Sequence, residues 1–594
     1  MKLLLHQTHH TIGDFNSIYH HLTQKISEIK KEGPTVHLFP ELFLTGYPLQ
    51  DLCLYPDFVQ NYHMLLENIA NWGKKNLEEK EIALLGGLKY TFCENKRKDF
   101  ARSFAQKIEN GIYFLSSNGL EFVYSKCLLP SYDIFDESKY FQAGNECTIF
   151  SFQGKNIALQ ICEDMWASSL HQIDPVLALA NLCKEKNISL DVVVNLSASP
   201  FNLFKQESRI KRGKNISQIF NVPFLYVNRI GGEDEILFDG QSFVAMGDTI
   251  QVSGKIFESD LLSYQLPENK FQLDLTQLGK EENTWESLFK HRLDLNNNNG
   301  IKLKNLGDQG CHEILKALIF GFREYATKSN HQKFTVALSG GIDSGLVLSI
   351  LKLALRPEQG LEAIYMPGLF SASLSYDLCE TLCQNLNIPL YTFPIKFLHS
   401  TIKNQVKENF KTDLTGIADE NIQSRLRGAL IYLRANQTGS LVLNTSNKSE
   451  LAVGYSTQYG DSVGALSILG DLYKSEVFEL AKYINRQFGP SIPTQMIERA
   501  PTAELRADQR DDQSLPPYEI LDPILEGLLS LQFSIDDLIE LGLPKEDCLK
   551  VHQLFLKSEY KRFQFCPIIK VHSKSFGIGH RLPICKQTKN FEAN

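Results

Sequence analysis

Short apolar runs recur through the first half of the chain, separated by longer stretches in which apolar positions return every three or four residues. The runs at 36–39, 82–86, 157–161, 192–196 and 224–227 are β-branched or aromatic and too short for helices, so they predict buried strands. A polar stretch follows and ends in Asn296-Asn297-Asn298-Asn299-Gly300, a segment with no apolar surface to bury and the natural place for a linker. Beyond it the alternation resumes, with strands predicted at 334–338, 362–366 and 441–444. Strands that alternate with helices imply parallel sheets covered on both faces. The halves do not repeat one another. The expectation is two α/β domains, 1–270 and 301–594, with 271–300 between them.

Length and composition agree with this division. A chain of 594 residues exceeds one ordinary hydrophobic core. With 43% hydrophobic residues, 22% charged residues and a net charge of −8, it reads as a globular protein without the basic surface that nucleic acid demands. No apolar run approaches the roughly 18 residues that span a bilayer, and the start MKLLLHQTHH lacks a signal-peptide core. A cytoplasmic protein that stays off membranes is expected. The twelve cysteines include no C-x-x-C pair, which argues against zinc, iron–sulfur and disulfide frameworks. Cys379 and Cys383, one helical turn apart, read as helix cysteines facing a core.

The sharpest chemical signal is Ala337-Leu338-Ser339-Gly340-Gly341-Ile342-Asp343-Ser344. A strand leads into it and an apolar helix, 345–355, leads out. Adjacent glycines let the backbone turn tightly around an anion, and the helix N-terminus presents unpaired N–H groups to phosphate. Ser339 and Ser344 add hydroxyl donors, while Asp343 is suited to the magnesium that accompanies a nucleotide. The spacing is neither that of a P-loop nor that of a dinucleotide fingerprint.

This loop resembles the pyrophosphate loop of the N-type ATP pyrophosphatases, which adenylylate a substrate and release pyrophosphate. Among them, Glu420-Asn421-Ile422-Gln423-Ser424-Arg425-Leu426-Arg427, Thr445-Ser446-Asn447-Lys448-Ser449-Glu450, Gly454-Tyr455-Ser456-Thr457-Gln458-Tyr459-Gly460-Asp461, Gly470-Asp471-Leu472-Tyr473-Lys474 and Ala500-Pro501-Thr502-Ala503-Glu504-Leu505 are similar to the NAD synthetase pattern. The resemblance implies a doubly wound, Rossmann-like parallel sheet of the adenine-nucleotide α-hydrolase type. It implies that residues 337–344, Thr445, Lys474 and Thr502 contact ATP, and that Asp343 and Glu450 share magnesium. Asn421, Glu450, Tyr455, Ser456, Thr457, Gln458 and Lys561 would line a pocket for nicotinic acid adenine dinucleotide (deamido-NAD).

The first half carries a different chemistry. Glu41 follows a predicted strand in Phe39-Pro40-Glu41-Leu42, Lys126 opens Lys126-Cys127-Leu128-Leu129-Pro130, and Cys162 ends the 157–161 strand before Glu163-Asp164-Met165-Trp166. A thiolate is a nucleophile, a carboxylate can accept its proton, and an ammonium can stabilise an oxyanion. In this order the three resemble the nitrilase superfamily of carbon–nitrogen hydrolases, whose fold is an α-β-β-α sandwich. The resemblance implies thioester chemistry on the side chain of glutamine. Tyr132, Ser199 and Arg209 are similar to positions that hold that substrate, with Lys205, Lys211 and Arg212 near enough in sequence to take the arginine's place.

Fused, the two halves imply a glutaminase that feeds ammonia through a protected passage to a synthetase, in a chain that self-associates as a dimer or larger. Other glutamine-using relatives of the same ATP loop fit less well. A terminal-nucleophile glutaminase needs cysteine after Met1, where Lys2 stands, and the triad type needs a G-x-C-x-G-x-Q elbow, which is absent. A degenerate binding protein is a further alternative, though both the nucleophile and the phosphate loop are intact. Two departures from the family pattern are Gly368, where serine is common, and Gln458, where some relatives carry a basic residue.

Overall fold

The computed structural model describes residues 1–29, 33–92, 105–166, 173–268, 292–295, 301–502, 504–506, 509 and 514–586. The chain divides into two compact units, Met1–Glu233 with Leu237–Lys290, and Asp234–Ile236 with His291–Asn594. The asparagine run at 296–300 and most of the expected linker lie outside the described residues.

In the first unit the described residues form two six-stranded sheets. One runs Asp260–Gln265, Lys2–Gln7, Thr35–Leu38, Glu81–Phe92, Ala105–Ser116, Gly119–Ser125 across its width. The other runs Thr249–Ser253, Phe243–Met246, Phe224–Asn228, Val192–Ser197, Lys155–Ile161, Thr148–Phe152. Alternate residues divide between two cores. Ile157, Leu159, Ile161, Val192, Val194 and Leu196 meet Leu3, Leu5, Val36 and Leu38 of the first sheet. Ala158, Val193 and Tyr226 instead face the helices Pro175–Glu185 and Lys205–Phe220. A strand buried on both faces must be apolar at nearly every position, which is why these runs lacked alternation in the sequence. The central pairs are parallel, so their C-terminal ends, with Glu41, Cys162 and Ser197 beyond or at them, open along matching edges. The expected α-β-β-α sandwich is what forms.

The second unit holds a wholly parallel sheet in the order Leu390–Thr392, Gly360–Tyr365, Lys333–Ala337, Leu441–Asn444, Leu466–Ser467. In chain order this is 3-2-1-4-5, a doubly wound arrangement. Its switch point lies between Lys333–Ala337 and Leu441–Asn444, where ligands bind beyond the strand ends in such sheets. The phosphate loop follows the first of these strands and Thr445 the second. No described helix is long and apolar enough to cross a membrane.

Candidate active sites

Glu41 is delivered by the turn after Thr35–Leu38, where Leu42 takes a φ of 48°. That turn packs so closely on Gly86 that a Cβ there would stand 2.3 Å from the Pro40 carbonyl oxygen. Glu41 is 1% exposed. Its Oε1 accepts hydrogen bonds from Lys126 Nζ at 2.8 Å and Asn110 Nδ2 at 2.7 Å, and its Oε2 accepts from the Ala198 N–H at 2.8 Å. Lys126, equally buried, also donates to both oxygens of Glu137 at 2.9 and 2.8 Å. Tyr47 Oη donates to Glu137 Oε1 at 3.0 Å. Cys162 sits at the end of Lys155–Ile161 with a φ of 42° and opens the short turn Cys162–Met165. Such a backbone is rare for a side-chain-bearing residue and lifts it from the strand edge.

The electrostatics follow from this packing. Two carboxylates flank one ammonium in a site removed from water. Burial alone would lower the Lys126 pKa, but Glu137 and Glu41 hold it well above the ordinary lysine value. Burial, with the nearby Glu41 charge, pushes the Cys162 thiol well up. Burial likewise pushes the Glu137 carboxyl up, against the pull of Lys126. The resting site therefore holds a protonated thiol near the Lys126 ammonium.

Around this centre, Tyr132 Oη donates to both oxygens of Glu163 at 3.1 and 2.9 Å, and the Ser199 N–H donates to Asn228 Oδ1 at 2.9 Å. Arg209 is 0% exposed. Its Nη1 donates to both Asp239 oxygens at 2.9 and 2.8 Å, and its Nη2 donates to the Ser199 and Pro200 carbonyls, each at 2.9 Å. These bonds tie Arg209 to Asp239 and to the Ser199 turn. Lys205, one turn earlier on the same helix face, is half-buried, donates to the Pro200 carbonyl at 3.2 Å, and lies close enough to Cys162 and Glu163 to feel their charges. Burial and the neighbouring Arg209 lower its pKa to about 8.

In the second unit the phosphate loop closes on itself. The Ser339 N–H donates to Ser344 Oγ and the Gly341 N–H to Ser339 Oγ, both at 3.2 Å. Gly340 has a φ of +86°, and a Cβ on it would come within 2.7 Å of the Ser375 carbonyl oxygen, so only glycine fits. One cavity is lined by residues 337–344 together with Thr445, Glu450, Tyr455, Lys474 and Thr502. Lys474, 2% exposed, places its ammonium between Asp343 Oδ2 at 2.5 Å and Glu450 Oε1 at 3.2 Å. Asn447 Nδ2 donates to Asp343 Oδ1 at 2.9 Å. Arg427, Arg499 and Glu504 line the same cavity and were not singled out by the sequence.

Asn421, Ser456, Thr457, Gln458 and Lys561 do not line this cavity; they cluster beside it. Lys561 Nζ donates to the Gly454 and Ser456 carbonyls at 2.7 and 2.6 Å, and Thr457 Oγ1 to Asn421 Oδ1 at 2.8 Å. Gln458 Nε2 reaches the Tyr560 carbonyl at 3.4 Å. The two groups share the Gly454–Ser456 turn through Tyr455.

Residues 5–171 match the carbon–nitrogen hydrolase family model, and residues 314–564 match that of NAD synthase. Over 590 residues the chain is 35% identical to the glutamine-dependent NAD(+) synthetase of Synechocystis sp., covering 98% of either protein. It is 32% identical to that of Aquifex aeolicus, over 98% of this chain and 99% of the relative. The chain belongs to the glutamine-dependent NAD(+) synthetases. A solved structure of such a synthetase from Acinetobacter baumannii, in complex with ADP, superposes with a TM-score of 0.68 at 28% identity over 98% of both chains.

Around the first site the structure brings forward two groups that the sequence did not single out and one that it offered only as an alternative. Asn110 and Glu137 complete the surroundings of Glu41 and Lys126, yet each stands in a segment with no motif of its own. Lys205 was visible only as one basic residue among several. The carboxylates of Asp343 and Glu450 also fit a magnesium ion. They converge on one ammonium, and Mg²⁺ takes one or two protein carboxylates with the remainder from phosphates and water.

Proposed function

We propose that this chain makes NAD from deamido-NAD, ATP and glutamine, with a glutaminase in the first domain, about 1–270, and a synthetase in the second, about 301–594. The observation that carries the reading is the presence, on one chain aligned end to end with this family, of both a buried Glu41–Lys126–Cys162 centre and a phosphate loop facing Lys474, Asp343 and Glu450.

In the first site Glu41 accepts the Cys162 thiol proton as sulfur attacks the glutamine carboxamide carbon. Lys126 stabilises the oxyanion, the C–N bond breaks as the amide nitrogen takes the proton back from Glu41 and leaves as ammonia, and a thioester remains. Glu41 then activates water, which releases glutamate and the thiol. Ser199, Tyr132 and Lys205 hold the substrate, with Lys205 on the α-carboxylate; Arg209 positions the Ser199 turn.

In the second site a nicotinate carboxylate oxygen attacks the α-phosphorus of ATP and pyrophosphate leaves. The loop 337–344 and Lys474 offset the charge gathered there, with Thr445 and Thr502 on the nucleotide. Magnesium held by Asp343 and Glu450 supplies further charge neutralisation when bound. Ammonia then displaces AMP from the activated carbonyl to give the carboxamide. Asn421, Tyr455, Ser456, Thr457, Gln458 and Lys561 serve deamido-NAD, Glu450 contacting it too. A protected route for ammonia, self-association and a cytoplasmic setting belong to the same reading.

The test is a stoichiometric assay of the purified chain with ATP, magnesium, deamido-NAD and glutamine. NAD, AMP, pyrophosphate and glutamate should appear in equal amounts. Absence of pyrophosphate release under these conditions would overturn the synthetase assignment.

A second expectation separates Lys205 from Arg209. A hydrogen bond to a charged group contributes about 1.5–3 kcal/mol, so Lys205→Ala should raise the KM for glutamine by about 10-fold to 100-fold. The KM for deamido-NAD should stay as it was. A glutamine KM unchanged in Lys205→Ala would return the carboxylate to another residue.

A further inference from the structure

Asp164 lies two residues beyond the nucleophile, and the mechanism above makes no use of it. Its side chain is 0% exposed. Both carboxylate oxygens are fully engaged. Oδ1 accepts from the N–H groups of Cys127 at 3.0 Å and Leu128 at 2.8 Å. Oδ2 accepts from the Ile161 N–H at 3.0 Å and Tyr124 Oη at 2.8 Å. All four donors are neutral groups. A carboxylate in an apolar interior is costly even when satisfied, and apolar residues often serve stability as well or better. Its partners Tyr124, Cys127 and Ile161 belong to the main apolar core between the sheets. A structural role alone therefore gives little reason for a charge at this place.

Its position supplies one. Cys127 is the residue after Lys126, and Ile161 is the residue before Cys162. One rigid carboxylate thus grips the main chain next to the oxyanion lysine and next to the nucleophile. The bond back to the Ile161 N–H also closes the Cys162–Met165 turn that keeps Cys162 at a φ of 42°. A conformation of that kind persists only where its surroundings over-determine it.

We propose that Asp164 is a positioning residue of the glutaminase, setting the separation and orientation of Lys126 and Cys162 by clamping both of their peptide segments. This rests on the glutaminase reading given above. Asp164 touches neither substrate nor reacting atoms, so its contribution lies in geometry. Misplacement of a catalytic group by about 1 Å can cost on the order of 100-fold in rate.

The experiment uses the full-length chain carrying Asp164→Asn. An amide of the same shape presents an N–H₂ where an acceptor stood, leaving at least one of the four donors without a partner. The kcat for glutamine hydrolysis should fall about 30-fold to 100-fold with the glutamine KM within about twofold. NAD formation from ammonium should match the parent protein. A wild-type kcat, a change confined to KM, or an equal loss with both nitrogen donors would each overturn the proposal. Tyr124→Phe, which keeps the carboxylate and removes one donor, is the second arm. It should lower kcat about threefold at constant KM, and an unchanged kcat in that variant overturns the proposal whether or not Asp164→Asn folds. If the parent protein hydrolyses no glutamine, the glutaminase reading itself fails; if it does and the variants behave as the parent, only the clamp fails.

Discussion

Replacing Cys162 by alanine should abolish NAD formation from glutamine, by about 1,000-fold or more, while formation from ammonium stays within about twofold. The asymmetry follows from where the thiol acts. Sulfur forms the bond that displaces ammonia from glutamine, and no neighbouring group can replace it. Lys126 is an ammonium held between Glu41 and Glu137, and both carboxylates are engaged in hydrogen bonds to it. The cavity proposed for adenylylation, by contrast, is lined by 337–344, Thr445 and Lys474 in the other unit. Supplied with ammonia from an ammonium salt, that machinery has no need of the thiol. Parallel assays with the two nitrogen donors decide the matter: equal loss with both would sink the division of labour.

The complementary change is Lys474→Met, which should lower NAD formation with either donor by about 100-fold to 1,000-fold. Hydrolysis of glutamine to glutamate should continue. Lys474 is the buried cation at the mouth of the phosphate loop, and its ammonium sits between two carboxylates. ATP and deamido-NAD are both anionic, so on the proposed reading the transition state for adenylylation concentrates negative charge beside Lys474. A methionine keeps the length and the packing of the stem but removes the charge. It also leaves Asp343 and Glu450 facing each other without their shared ammonium. Lys474→Arg retains the charge and should recover part of the loss. Pyrophosphate release, followed directly, is the readout, and a Lys474→Met protein that releases it at the parent rate would remove Lys474 from the mechanism.

Several elements were legible because their signals are local. The strands at 157–161, 192–196 and 224–227 form where their apolar runs stand, and the sheet order explains their uniform hydrophobicity. The phosphate loop was legible for a similar reason. Its glycines and serines act on neighbours within five residues, as the bonds among Ser339, Gly341 and Ser344 show. The place of Cys162 at a strand end was legible in the apolar run that precedes it.

Other features came from convergence over long separations. Lys205 and Arg209 are four residues apart on one helix and share a face, so spacing alone cannot choose between them. Asp239, 30 residues beyond Arg209, engages Arg209 in an ion pair, while Lys205 bonds the Pro200 carbonyl. Glu137 shares no local pattern with Lys126, yet folding sets its carboxylate on the same ammonium as Glu41.

By itself the sequence determined the α/β elements, the phosphate loop, the order of Glu41, Lys126 and Cys162, and so the family to which this chain belongs. These depend on periodicity and on residues adjacent in the chain. Only the tertiary structure decided that Asp239 pairs with Arg209, that Lys474 bridges Asp343 and Glu450, and that Asp164 joins the segments of Lys126 and Cys162. Each of those is a hydrogen bond or ion pair between residues that meet only after the sheets have assembled, and the energetic cost of an unpaired buried charge is what selects the partner.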